Sequence, residues 1–387
     1  MVNYCNYARE LRHELHQIPE VGFDLPKTIA VVKRELDANG ISYAENEFGR
    51  SSIVATINPG CSYTIGLRAD MDALPIQEES NNPFPSKHEG MMHACGHDIH
   101  TASLLAAGKK LKEMESQLRC TVKLLFTPAE EYVTPGCKEL ADNGIMDDID
   151  VAIAFHIQSG AEAGKVVLYD EGYNANSMGI LCEFFGKSAH AHSQQKGVDA
   201  IRMAVQAYIG MELMAAREIP SKDCFVLNVG TFHGGNTNNI VCDYAKMFVS
   251  SRSLDDDLTA FMERRIREIC EGTAQMLGGE AKVTVTKLLP YVDIHPAVNT
   301  KVLACAEKLV GTENIEYGVR GMGGEDFAFL SRKKPSAIFR VGTTNDTNPD
   351  TKNPLHNSKF DADERCFDVS IPMFVNFVLE NQDGITL

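Results

Sequence analysis

Three short apolar runs of the chain end in side chains that can bind a metal ion or carry a proton. The runs are 63–68, followed by Asp70 and Asp72; 121–127, followed by Glu130 and Glu131; and 151–155, followed by His156. Runs of this length and composition predict buried strands. Open α/β sheets place their sites beyond the carboxyl ends of their strands. The sequence therefore predicts an α/β fold with a chemical site along one edge of its sheet.

The densest group of such side chains lies in residues 92–101, which hold Cys95, three histidines and Asp98. The apolar, alanine-rich residues that follow predict a buried helix. We expect Asp98 or Thr101 to cap this helix, with Cys95 and His97 in the loop before its positive end. A thiolate and an imidazole suit zinc or a similar transition metal. The cluster alone fits a loop with a buried cysteine and capping histidines equally well.

Composition limits the class of protein and its partners. A chain of 387 residues exceeds the usual size of one hydrophobic core, so two domains are expected. The net charge of -16 disfavours nucleic acid and anionic membranes as partners. The 11 cysteines show no disulfide spacing, and no secretory signal or membrane span is visible. These features predict a cytoplasmic protein with reduced thiols.

The middle of the chain has a different pattern from its two ends. Its predicted elements are strand 180–186, helix 197–216, strands 225–232 and 244–252, helix 255–277 and strand 281–289. This β-α-β-β-α-β order is typical of a small ferredoxin-like domain. The sequence therefore predicts an α+β domain at 179–293, inserted into an α/β domain formed by 1–178 and 294–387.

Five residues outside the inserted domain are candidate metal ligands: Cys95, His97, Glu131, His156 and His356. Five exceed the four ligands of a closed structural zinc site and suit two ions that share one ligand. A carboxylate beside them, such as Glu130, can act as general base, and amide hydrolysis requires this combination. Several residues near the strand ends also have ordinary explanations: turns and caps for Asp70 and Asp72, a solvated acidic turn for the glutamates, and a core position for His156.

Several longer motifs make the resemblance to a known family specific. The motifs are 13–23 (HELHQIPEVGF), 67–75 (LRADMDALP), 93–101 (HACGHDIHT), 128–131 (PAEE), 323–327 (GGEDF) and 355–356 (LH). In this order they resemble the dimetal aminoacylase/carboxypeptidase superfamily. The branch is the one that contains hippurate hydrolase, auxin-conjugate hydrolases and N-acetyl-diaminopimelate deacetylase. The resemblance implies a mixed-sheet catalytic domain of zinc-exopeptidase type, with an inserted ferredoxin-like lid and dimerisation domain.

The resemblance also implies roles for individual residues. Two divalent ions (zinc, manganese, cobalt or nickel) would share Cys95, with the other four candidates as the remaining ligands. Glu130 would be the general base, and Asp72 would orient a ligand. In the inserted domain, His190 resembles a histidine that reaches a neighbouring subunit's site, which implies a homodimer or larger homo-oligomer. Three residues would bind substrate: Asn239, Arg252 and Gly324. Without the family, a plain polar loop explains His190 and Asn239 as well.

The predicted activity is hydrolysis of the amide bond in N-acyl-L-amino acids. N-acetyl-diaminopimelate deacetylation, cleavage of dipeptides or short peptides, and metal binding without catalysis are the alternatives. The chain departs from the family pattern at two places. The proline often found near the histidine of the third run is absent from Ile157-Gln158-Ser159, a loop expected near the acyl pocket, and Cys242 replaces a proline after the lid asparagine. The acyl pocket and the hold on the substrate carboxylate are therefore the features least defined by the resemblance.

Overall fold

The computed structural model describes residues 3–170 and 172–387, and these form two compact units. The first unit contains the chain up to Tyr173, together with Val292–Val319 and Glu325–Leu387. The second unit contains Asn174–Tyr291 and Arg320–Gly324. Each unit has its own hydrophobic core, as expected for a chain of this length.

The strands in chain order are β1 (Ser42–Glu45), β2 (Ile53–Ile57), β3 (Thr64–Asp70), β4 (Thr121–Thr127), β5 (Val151–Glu162), β6 (Val166–Leu168), β7 (Asn176–Phe185), β8 (Phe225–Gly234), β9 (Tyr244–Ser253), β10 (Glu280–Leu289), β11 (Ile315–Tyr317) and β12 (Ser336–Thr344). The α-helices are α1 (Tyr4–His16), α2 (Pro26–Ala38), α3 (His97–Glu113), α4 (Gly136–Asp142), α5 (Ala200–Arg217), α6 (Asp256–Met276), α7 (Pro296–Val310), α8 (Ala328–Ser331) and α9 (Phe367–Asn381).

The first unit is built on an eight-stranded mixed sheet in the order β1-β2-β4-β3-β5-β12-β6-β11. Its central strands β4, β3, β5 and β12 are parallel, so their carboxyl ends meet at one edge. Every residue of β3 is buried, as expected for a parallel strand covered on both faces. Helix α3 is buried along most of its length and contacts α1, α9 and β3. This arrangement brings Asp70 at the end of β3, and Glu130 and Glu131 after β4, to the same edge. His156 lies within β5 and not after it, so the predicted end of this strand at 155 was wrong, because β5 stays paired with β12 beyond His156.

The second unit has a four-stranded antiparallel sheet in the order β10-β7-β9-β8, together with helices α5 and α6. Its core is rich in methionine, including Met203, Met211 and Met262, each at most 1% exposed. A methionine core packs adaptable side chains between helices and sheet. The mixed sheet and the separate antiparallel sheet confirm the predicted α/β class with an α+β insertion.

The structure differs from the sequence prediction at the start of α3. Gly96, with φ 78°, is the N-cap residue, and His97 is already the first residue of the helix. The expected cap at Asp98 or Thr101 was wrong, because glycine tolerates the positive φ at which the chain enters the helix. Among the described residues, no helix is long and apolar enough to cross a membrane.

Candidate metal centre

Two aspartates, Asp70 at the end of β3 and Asp72 just after it, hold the surrounding backbone and side chains in place. Asp70 Oδ1 lies 2.6 Å from His100 Nδ1, and the Ile157 N–H donates a hydrogen bond to His100 Nε2 at 3.0 Å. Asp72 accepts hydrogen bonds from the N–H groups of Glu130 and Glu131, at 2.9 and 3.0 Å. All these groups except part of Glu131 are buried. Asp72 therefore fixes the direction of the chain at the two adjacent glutamates.

His97 is the buried imidazole nearest to both aspartates. Its Nδ1 lies 3.5 Å from Asp72 and its Nε2 lies 3.7 Å from Asp70, and neither nitrogen forms a regular hydrogen bond within the described residues. Burial lowers the pKa of His97, but Asp70 and Asp72 outweigh it and raise that pKa to about 10. A buried imidazole without regular hydrogen-bond partners in an anionic setting is suited to bind a cation.

Cys95 and His156 face each other from a loop and a central strand. Cys95 Sγ lies 3.4 Å from His156 Nε2, while His156 Nδ1 lies 2.7 Å from the Ile157 carbonyl oxygen. Burial raises the pKa of the Cys95 thiol well above its usual value, and Glu131 and Glu130 raise it further. The loop does not make this cysteine a thiolate by itself. A bound cation would be required to remove the proton.

Glu131 and His356 lie on the more open side of the cluster. His356 Nε2 is 2.8 Å from Glu131 Oε1, and the His356 side chain is 51% exposed. Residue 356 has φ 63°, and Ala129, directly before the two glutamates, has φ 59°. Positive φ is uncommon for residues other than glycine and is concentrated at functional sites. The backbone is thus held in a sparsely populated conformation at His356 itself and at Ala129, two residues before Glu131.

The five candidate ligands form two groups that share one residue. Cys95, His97 and His156 form the first group, and Cys95, Glu131 and His356 form the second. Within each group the potential ligand atoms lie within 4.8 Å of one another. Thiolate, imidazole and carboxylate donors in this number fit divalent transition metals. The residues present therefore fit a metal centre in which Cys95 belongs to both halves.

Glu130 lies within 4.8 Å of Glu131 and His97, and it has two further carboxylate neighbours. Its carboxylate is within 4.8 Å of Glu325 and Asp326, and all three are buried. Burial raises the pKa of Glu130 well above its usual value, and the charges of Glu131, Glu325 and Asp326 add to that effect. This buried carboxyl group therefore binds a proton more tightly than an exposed glutamate.

Sequence analysis missed the arginine that stabilises these carboxylates. Arg68 donates from Nη1 to Asp70 at 2.8 Å and to Glu325 at 3.0 Å, and from Nη2 to Asp326 at 2.5 Å. The Cys137 N–H donates to the other Asp326 oxygen at 2.9 Å. Arg68 is 1% exposed, so these are buried, charge-assisted bonds. The only available signal was the joint presence of the motifs at 67–75 and 323–327.

The candidate residues of the inserted domain lie in the second unit. His190 and Asn239 are exposed, and the Ala191 N–H donates to the Asn239 carbonyl oxygen at 3.0 Å. Arg252 is partly buried and donates to the Met322 carbonyl oxygen at 3.2 Å, two residues before Gly324. All four candidates, including Gly324 of the predicted 294–387 segment, therefore belong to the second unit.

Comparison with known proteins identifies the family. The model of peptidase family M20/M25/M40 matches residues 66–380. The chain belongs to this family. It is 33% identical to the hippurate hydrolase of Campylobacter jejuni over 91% of this chain and 90% of that one. It is 29% identical to the N-acetyldiaminopimelate deacetylase of Streptococcus thermophilus over 95% and 97% of the two chains.

A solved structure has the same architecture. The Bacillus subtilis YxeP protein, described as a dinuclear metal binding peptidase of the M20 family, matches with a TM-score of 0.83 and 25% identity. The alignment covers 97% of this chain and 98% of that one. Membership of the M20 family makes the chain a metal-dependent hydrolase of the amidohydrolase and peptidase class. The family and the two ligand groups also confirm the predicted divalent-metal cofactor.

Proposed function

We propose that this M20 protein is an N-acyl-L-amino acid hydrolase with two divalent metal ions in each subunit. Five residues would hold them: Cys95, His97, Glu131, His156 and His356. The observation that carries the proposal is that Cys95 belongs to both ligand groups, as a residue shared by two ions must. The donor types allow zinc, manganese, cobalt or nickel.

When bound, the metal pair would polarise the scissile carbonyl and acidify a water molecule. Glu130 accepts the proton of the attacking water and passes it to the leaving nitrogen, so that the carbon–nitrogen bond breaks to a carboxylic acid and an amine. The raised pKa of Glu130 suits a group that must hold this proton between the two transfers. Asp72 fixes the backbone at Glu130 and Glu131 by accepting hydrogen bonds from their N–H groups.

We also assign substrate roles to the second unit. His190 would stabilise the oxyanion in a neighbouring subunit's site, Asn239 and Arg252 would hold the carboxylate of the amino-acid part, and Gly324 would also bind the substrate. The exposure of His190 and Asn239 supports roles in which they meet another molecule. The proposed domains remain 1–178 with 294–387, and 179–293. The second compact unit supports this division, although it also includes Arg320–Gly324.

We further propose a cytoplasmic homodimer or larger homo-oligomer, joined through the inserted domain. Each of the 11 cysteines, all within the described residues, is free, which suits a reducing compartment. Strand β8 is an edge strand of its sheet, and α5 beside it exposes an apolar stripe. The stripe consists of Val205, Tyr208, Ile209 and Leu213, which are 39–59% exposed. An unpaired edge next to exposed apolar side chains is typical of a subunit interface.

The decisive experiment is an assay of the metal-free protein and of protein reconstituted with zinc, manganese, cobalt or nickel. The substrates are N-acetyl-L-methionine, hippurate, N-acetyl-L,L-diaminopimelate and a dipeptide. We expect hydrolysis of at least one N-acyl amino acid, and its loss on chelation. Faster turnover of the diaminopimelate derivative than of the other substrates would identify its deacetylation as the main activity. One relative of this chain is named for that activity. Cleavage of the dipeptide alone would reassign the chain as a peptidase.

A further inference from the structure

Arg340 occupies an unusual position beside the metal centre. It lies in β12 directly opposite His156 of the parallel neighbour β5. Their neighbours Phe155 and Phe339 stack on the other face of the sheet, with ring centroids 5.8 Å apart. Because side chains alternate along a strand, Arg340 and His156 project from the same face. Arg340 Nη2 lies 3.2 Å from His156 Nδ1, and Cys95 lies 3.4 Å from the opposite ring nitrogen.

The partners of this guanidinium are all uncharged. Nη1 donates to Gln158 Oε1 at 2.5 Å, and the group lies 5.0 Å from the centre of the Tyr173 ring. Against the effect of its burial, the nearby Tyr173 and Tyr169 side chains raise the pKa of Arg340. Arg340 Nε is buried and has no partner within the described residues. No carboxylate of the described residues forms an ion pair with Arg340, although a guanidinium remains charged in a protein.

Metal binding at His156 would leave Arg340 with fewer partners. His156 faces Cys95 with Nε2, so Nε2 is the nitrogen available to a metal ion. Nδ1 would then carry the ring proton and donate a hydrogen bond to the Ile157 carbonyl oxygen, which lies 2.7 Å away. A protonated Nδ1 cannot accept a hydrogen bond from Arg340. An enclosed cation with open donor positions favours an anionic group from outside the protein.

We propose that Arg340 and Gln158 form an anion-binding subsite for the acyl part of the substrate. The preferred acyl group would carry its own carboxylate, as in an N-succinyl amino acid. This inference rests on the proposed function, in which the second unit holds the carboxylate of the amino-acid part. Only one imidazole ring separates the guanidinium from Cys95, and a succinyl group places its second carboxylate two methylenes from the scissile carbonyl. A guanidinium can bind that carboxylate with two parallel hydrogen bonds.

The test compares three substrates on the metal-reconstituted enzyme. They are N-succinyl-L-methionine, its terminal carboxamide N-succinamoyl-L-methionine, and N-acetyl-L-methionine. The succinyl and succinamoyl groups have nearly the same size, so their comparison isolates the charge. We expect kcat/KM to favour the succinyl compound by about tenfold or more, mainly through KM, as for one charge-assisted hydrogen bond. Equal values for the two compounds would overturn the proposal without any variant.

Arg340→Gln should bring the two values within about twofold of each other, should lower kcat/KM more for the succinyl compound than for N-acetyl-L-methionine, and should keep a metal content near wild type. Arg340→Lys should keep part of the preference, and Arg119→Gln, at an arginine whose side chain is 60% exposed, should keep all of it. An equal loss on all three substrates in Arg340→Gln would show that this arginine serves the metal site or the fold, and would overturn the proposal. If the loaded wild type hydrolyses none of the three but cleaves a dipeptide, the proposed function fails and takes this subsite with it.

Discussion

At the scale of single residues, the two adjacent glutamates have different surroundings and so different expected roles. Both glutamates lie within 4.8 Å of His97, but Glu131 is also beside His356 and Cys95, whereas Glu130 is also beside Glu325 and Asp326. A metal ligand must lie close to the other ligands of the ion, whereas a general base needs a raised affinity for protons. The surroundings of the two side chains therefore distinguish their expected roles, which their adjacent positions in the sequence do not.

Substituting each glutamate by glutamine tests this separation. We expect Glu130→Gln to keep its metal and its fold but to lose about a hundredfold or more in kcat, the usual contribution of a general base. Glu131→Gln should lose both metal and activity. Elemental analysis of the purified variants and steady-state kinetics measure the two effects. Near-normal turnover by Glu130→Gln would contradict its assignment as the base.

Helix α1 carries a buried histidine, His16, that lies between two carboxylates. His16 Nδ1 lies 2.8 Å from Asp98 and its Nε2 lies 3.3 Å from Glu78, with His16 only 1% exposed. Burial lowers the pKa of His16, but the Asp98 and Glu78 carboxylates outweigh it and raise that pKa from 6.5 to about 9. The charged form is thus favoured by folding, so its stabilisation is complete below pH 6.5 and disappears as the pH rises through 9.

We therefore expect the free energy of unfolding of the metal-loaded protein to fall between pH 6.5 and 9. The loss attributable to His16 is roughly 3 kcal/mol, from about 1.4 kcal/mol for each unit of pKa. Denaturant titrations across this range measure it. His16→Gln is neutral at every pH and should lack this part of the slope, whereas an identical slope in the variant would exclude His16 as its source.

At the scale of elements, the start of α3 determines how the metal centre is assembled. Gly96 turns the chain into the helix, and the first turn then presents His97 and His100, three residues apart, on neighbouring positions. A Cβ atom at Gly96 would lie 2.3 Å from Ile157 Cδ1, the residue whose N–H holds His100. The loop, the helix and β5 therefore meet at one glycine.

Gly96→Ala should reduce both stability and activity. The positive φ alone costs roughly 1–2 kcal/mol for a residue with a Cβ atom. Gly40→Ala is the matched control, because Gly40 has φ 64° and no atom within 4 Å of its Cβ position. We expect Gly40→Ala to show only the conformational cost and to keep full activity. Equal unfolding free energies and equal kcat/KM in the two variants would rule out crowding at Ile157.

The elements with strong local patterns could be predicted from the sequence, and those defined by distant pairing could not. The apolar run at 121–127 coincides with β4, and the predicted helix at 197–216 agrees with α5, which spans Ala200–Arg217. Strands β6 and β11 have three residues each and exist because they pair with distant parts of the chain. Such short segments carry no periodicity that a sequence can reveal.

The candidate site shows the same division. Its candidate ligands stand out because cysteine, histidine and acidic residues lie next to apolar runs, and the ends of parallel strands share an edge. The Arg68 cluster was not predictable, since Glu325 and Asp326 lie 257 and 258 positions from Arg68 along the chain. Arg340 was missed for a related reason, because a lone arginine in a strand gives no sign of which face it shares with His156.

At the scale of the whole molecule, the exposed stripe on α5 predicts the assembly state. Leu213 is 59% exposed at the end of this stripe, and a glutamate there would place a charge in the proposed subunit interface. We expect light scattering to show a dimer or larger assembly for the wild type and monomers for Leu213→Glu. Activity should fall with dissociation if His190 acts on a neighbouring subunit.

Val319→Glu is the control for this experiment, because Val319 is an apolar residue of the first unit that is 92% exposed. It should leave both the assembly and the turnover unchanged. A wild type that is monomeric and fully active at assay concentration would contradict both the interface and the role of His190 in a neighbouring subunit.

The position of β12 in its sheet affects how the protein can be made. This strand, at residues 336–344, lies between β5 and β6, which precede it by more than 160 residues. While the ribosome is still adding the last quarter of the chain, β5 and β6 each lack a neighbour, and His356 does not yet exist. The nascent protein therefore carries open strand edges until translation is almost complete, and these edges are prone to pair with other chains. Synthesis rate and chaperone supply should then limit the yield of folded enzyme more than the stability of the finished molecule does.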